Sequence, residues 1–142
     1  MSRRSRSRSS AAPLLTRYPL TADVAVAIAR AAADDQPALV VLVLDATGAS
    51  LAVRPHDLAP SDVEDACRTL LGLWGLDGVG PSVIVSVDAG FGCEPEPAVA
   101  VWPDVQRAFT EAGGTLLDWL LVCGDRVRSV SATASGPAGW AL

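Results

Sequence analysis

The hydrophobic positions change period along the chain. Between Thr21 and Asp35 they recur every three to four residues, at Val24, Ala27, Ile28 and Ala31, which predicts a helix. Thr21 is placed to cap it, Asp23 suits the positive N-terminal end, and Asp34, Asp35 and Pro37 end it. From Ala38 to Asp45 the pattern becomes a continuous aliphatic run, as expected of a strand buried on both faces. A turn over Ala46–Ala49 leads to a second strand, Ser50–Arg54, so the pair should form a hairpin. Ser61-Asp62-Val63-Glu64 has the spacing of a capping box. Val63, Cys67, Leu70, Leu71 and Trp74 then share one helical face, where Cys67 reads as a small buried hydrophobe. Gly72 and the glycines from Gly75 to Gly80 mark its end.

Ser82–Asp88 predicts the central strand, and a loop with Gly90, Phe91, Gly92, Cys93, Glu94, Pro95, Glu96 and Pro97 follows. A short helix is expected from Pro103 to Ala112, with Pro103 in its first turn and Gly113 as a left-handed stop. Thr115–Val122 is a second buried strand. Strict alternation would put Asp118 on one face with Leu116, Leu120 and Val122, and Leu117, Trp119 and Leu121 on the other. Gly124-Asp125 turns into an edge strand, Arg126–Val130, and the rest reads as loop with Trp140 folding back onto the body. The fold class is therefore α/β (α+β): a mixed sheet of about five strands flanked by about three helices. Residues 17–142 form a single domain behind a disordered Arg/Ser-rich tail, 1–16.

Composition changes this picture in three places. All 11 basic residues are arginine, and Arg3, Arg4, Arg6 and Arg8 sit in the tail without an acid. The remainder carries seven arginines against sixteen acids, so a folded body of that charge repels phosphate backbones. Nucleic acid is expected only through the four tail arginines. Cys67, Cys93 and Cys123 are odd in number and form no Cys-x-x-Cys pair, which suggests free thiols in a reducing compartment. No apolar run approaches the roughly 20 residues of a membrane span, and the apolar stretch after the basic start is too short for an export signal. A cytoplasmic location without membrane contact is the expectation.

Candidate chemistry concentrates after the central strand. Asp88, Glu94, Glu96 and Asp104 could gather around a divalent cation and run acid–base hydrolysis. The prolines between the glutamates point instead to a stiff, solvated connection. Cys93 stands among acids, which oppose the thiolate a nucleophile needs. The only histidine, His56, excludes a metal site built on several histidines. Asp118, inside an apolar strand, must be hydrogen-bonded there and is expected to anchor structure by accepting from backbone or serine. No glycine-rich phosphate or dinucleotide pattern is present, so no cofactor is implied.

From Leu39 to Val130 the order of elements resembles the RadC-like branch of the JAB/MPN domains. The matching pieces are Leu42–Asp45, Ser86-Val-Asp-Ala-Gly90, the Glu-Pro-Glu-Pro97 loop, Leu116-Leu-Asp-Trp-Leu-Leu-Val122 and Arg128-Ser-Val130. Metal-dependent members carry a His-x-His pair, which would fall at Ser86 and Asp88, and a metal aspartate, which would fall near Ala100 with Asp104 nearby. The histidine after their Leu-Leu-Asp is Trp119 here. The resemblance thus implies a JAB-like fold and an inactive relative, a pseudoenzyme with no metal, that recognises a protein or peptide. The expected groove runs along Asp88, Phe91, Cys93, Glu94, Glu96, Trp102 and Asp104, with Phe91 and Trp102 as its apolar contacts.

Overall fold

A computed structural model describes residues 21–34, 36–45, 48–54, 59–74, 81–88 and 94–135. The Arg-rich tail, His56, Phe91, Cys93 and Trp140 lie outside them. The elements run α1 (Ala22–Ala33), β1 (Ala38–Asp45), β2 (Gly48–Arg54), α2 (Pro60–Trp74), β3 (Pro81–Val87), α3 (Glu96–Glu111), β4 (Thr115–Cys123), β5 (Arg126–Ser129) and α4 (Val130–Ser135). The five strands form one mixed sheet in the order β2-β1-β3-β4-β5. β1 pairs antiparallel with both β2 and β3, β3 pairs parallel with β4 through the α3 crossover, and β4 pairs antiparallel with β5. This is the expected mixed-sheet α+β class, with four helices where about three were expected.

The central strands bury both faces, which explains their unbroken aliphatic sequence. On one face Leu39, Val41, Ile84, Trp119 and Leu121 pack against α2 and α3, with Phe109 and Trp102 filling the layer. On the other, Val40, Leu42, Val83, Val85, Leu120 and Val122 meet α1. Thr21 caps α1 as expected, its side chain accepting from Val24 N at 3.2 Å. The buried stripe of α1 is, however, Ala25, Ala29 and Ala33, while Ala27 and Ala31 are exposed. Alanine spaced by four lets the helix backbone lie close to the sheet, and Val24 and Ile28 flank that contact half-buried.

Four further expectations are corrected. The capping box does not form: α2 begins at Pro60, one residue before Ser61, and the Glu64 carboxylate turns forward to Arg68 at 2.9 Å. Arg68 also reaches Glu111 at 2.6 Å, joining α2 to α3, and these two carboxylates raise its pKa. Second, α3 starts at Glu96, well before Pro103. Pro97 occupies its first turn, where a missing N–H costs nothing, and Pro103 lies inside the helix and deprives Val99 O of its usual donor. Third, the chain after β5 turns directly into α4 rather than running on as loop.

The fourth correction concerns β4. The parallel register slips between Ser82 and Val83: Ser82 pairs with Leu116 but Val83 pairs with Asp118. An extra residue in one strand reverses the alternation beyond it. Leu116 therefore shares a face with Trp119 and Leu121, and Leu117 packs with Leu120 and Val122.

Candidate functional site

The end of β3 and the β4–β5 turn form one tethered corner. Asp88, just past β3, takes the left-handed conformation with φ 49°. This conformation is unusual for any residue but glycine, and aspartate is among the side chains that tolerate it best. Its own N–H donates to Val122 O at 2.7 Å, and its Oδ1 accepts from Gly124 N at 3.1 Å. Arg30 of α1 donates to Gly124 O. Gly124 sits at φ 57°, the turn conformation its position was expected to need. The side chain foremost among the candidates for chemistry is thus holding backbone.

The other expected groove residues do not converge on Asp88. Glu94 is exposed before α3, and Glu96 is exposed in its first turn. Asp104, about two turns along α3, pairs with Arg107 at 3.0 Å. Trp102 is only 5% exposed and belongs to the core between α3 and the sheet, so its indole is withdrawn from any groove surface. Phe91 and Cys93 lie outside the described residues. Among the described residues, no three His, Cys, Asp or Glu side chains come together as a cation cage. No helix among them is long and apolar enough to cross a membrane.

Asp118 has the anchoring role expected of it. At 1% exposure, it accepts from Trp119 N at 2.7 Å, from Ser129 Oγ at 2.8 and 2.9 Å, and from Ser131 N at 3.1 Å. Ser129 Oγ in turn accepts from Ala132 N at 3.0 Å. Asp118 and Ser129 together thus take up two of the donors that the first turn of α4 leaves without intrahelical partners. Beside them, Trp119 Nε1 donates to Ser86 Oγ at 2.9 Å inside the core. Sequence reasoning missed this pair because β3 and β4 are distant in sequence; the one hint was a serine within an apolar strand.

The cysteines divide. Cys67 is fully buried and free, and burial, followed by the nearby Glu64 carboxylate, pushes its thiol well above the usual range. Cys123, at the corner just described, is disulfide-bonded, which corrects the expectation of three free thiols. The compartment inference drawn from those thiols loses that support. Away from the corner, an open groove of about 280 Å³ lies between Arg54 at the end of β2 and Asp62, Asp65, Ala66 and Thr69 of α2. It brings a cation beside two carboxylates, a juxtaposition that the sequence did not announce.

Comparison of the chain with family models, with curated proteins and with solved structures finds no match.

Proposed function

We propose that this is a catalytically inactive, JAB/RadC-like domain that acts by binding a protein or peptide. The observation that carries the reading is the Trp119–Ser86 hydrogen bond. The resemblance places one metal histidine at Ser86 and the histidine after Leu-Leu-Asp at Trp119, and these two side chains here satisfy each other within the core. The second metal position, Asp88, holds Gly124. The zinc set of the resembled family does not fit these residues, and no step is derived through a metal. The order β3, α3, β4, β5, with Ser129 of the last strand joined to Asp118, further supports the resemblance.

The binding chemistry follows from what remains exposed. Glu94 and Glu96 stand in solvent at the mouth of the β3–α3 connection, on a body rich in acids. Such a rim favours a basic, extended peptide and would act mainly on association rate and specificity. Fluorescence anisotropy with arginine-rich peptides tests this. Salt-sensitive binding that weakens in a Glu94→Gln/Glu96→Gln double variant supports the reading; binding indifferent to both removes the rim from it. The cytoplasm is part of the same proposal. The free thiol of Cys67 is compatible with it and the disulfide at Cys123 speaks against it, so cell fractionation decides the point.

A further inference from the structure

We propose that the outer edge of β2 takes up an extended segment of a partner protein in which basic and apolar residues alternate. The two edges of the sheet differ. β5 is four residues long and includes Arg126 and Arg128, the short, charged form that discourages further pairing. β2 is seven residues long, has no proline, and its single charge, Arg54, stands at its end. It pairs with β1 without a bulge, and among the described residues no strand lies on its other side. A row of backbone donors and acceptors is thereby left to a further strand.

The surroundings of β2 specify that strand. Residues directly opposite in a pair share a face of the sheet. Arg54 and Ala52 stand opposite Leu39 and Val41, on the side of α2, whereas Leu51 and Val53 stand opposite Leu42 and Val40, on the side of α1. On the α2 side lies the groove of about 280 Å³. Asp62, Asp65, Ala66 and Thr69 follow one another at helical spacing along its wall, with both carboxylates exposed. Two carboxylates against one guanidinium leave the groove net negative. An added strand lies about 4.8 Å outside β2 and sends alternate side chains to opposite faces. Lysine or arginine on the α2 side then meets Asp62 and Asp65, and apolar residues on the α1 side extend the surface of Leu51 and Val53. This site lies on different elements from the Glu94–Glu96 rim and shares with that reading only its peptide chemistry.

A fluorescent, capped octapeptide of alternating lysine and valine tests the assignment on the full chain, with four lysines followed by four valines as its control. The alternating peptide should bind more tightly than the control and slow amide exchange across β2 but not across β5. Asp62→Asn/Asp65→Asn should weaken its binding about tenfold, as expected for two exposed ion pairs. Glu94→Gln/Glu96→Gln should leave the protection of β2 unchanged. N-methylation of alternate peptide residues should abolish binding when it blocks one edge of the peptide and spare it on the other. Equal binding of the control, or self-association of the chain through β2 in sedimentation, would overturn the proposal. Protection confined to the start of α3 would overturn it too, while leaving the rim reading intact.

Discussion

Ser129 Oγ lies 2.8 and 2.9 Å from the two carboxyl oxygens of Asp118, and this contact ties β5 to β4 and starts α4. Asp118 also accepts from Trp119 N and Ser131 N, so its removal leaves several donors without their acceptor in a buried place. Replacing Asp118 by Ala should cost about 3 kcal/mol in urea-induced unfolding, and replacing Ser129 by Ala about 1 kcal/mol. The two changes should be less than additive, because they share one hydrogen bond. Additive losses, or an Asp118→Ala cost below about 1 kcal/mol, would mean that the carboxyl group does not organise this junction.

Asp88 combines an unfavourable conformation with a useful side chain. Asp88→Gly loses the bond to Gly124 N but relieves the left-handed backbone; Asp88→Ala loses the bond and keeps the strain. The alanine variant should therefore be the less stable by about 1 kcal/mol. Equal stability of the two would show that the φ of 49° carries no cost here.

Trp119 and Ser86 should behave as a matched pair. Trp119→Phe leaves the Ser86 hydroxyl without its indole donor and also removes volume from the core, at a cost of about 2 kcal/mol. Adding Ser86→Ala to that variant should recover part of the loss, since an unpaired buried hydroxyl is worse than none. A double variant weaker than Trp119→Phe alone would contradict the pairing.

Cys67 makes a pH prediction whose sign is fixed by burial. The folded thiol keeps its proton at pH values where the unfolded one, with an ordinary pKa near 8.5, releases it. Stability from this group is fully present below about pH 8.5 and falls above it by about 1.4 kcal/mol per pH unit. Denaturant titrations from pH 7 to 10 should show this slope in the native chain and a slope smaller by that amount in Cys67→Ala. Identical pH profiles would indicate that the thiol is not protected in the folded state.

The sheet was legible because its strands are aliphatic runs too short for helices and bounded by glycine or proline. Thr21, Gly113 and Gly124 were legible because each meets a local backbone requirement. The start of α3 was not, because Glu-Pro-Glu-Pro reads as loop although proline is tolerated in a first helical turn. α4 has no apolar period to announce it; its first turn is held by Asp118 from another strand. The slip opposite Ser82 leaves no local signature either, since it arises only when β3 and β4 pair. At the candidate site, the anchoring role of Asp118 was readable from one acid in an apolar strand. The withdrawal of Trp102 into the core was not, because it depends on a helix longer than the one the pattern suggested.

The most direct measurement places a basic peptide library, the full chain and zinc together, and follows anisotropy and mass spectra in the same samples. The account predicts that the chain retains a subset of peptides intact, with binding weakened by Glu94→Gln/Glu96→Gln. Peptides cut in a zinc-dependent way, with the cutting lost in Asp88→Ala, would contradict it.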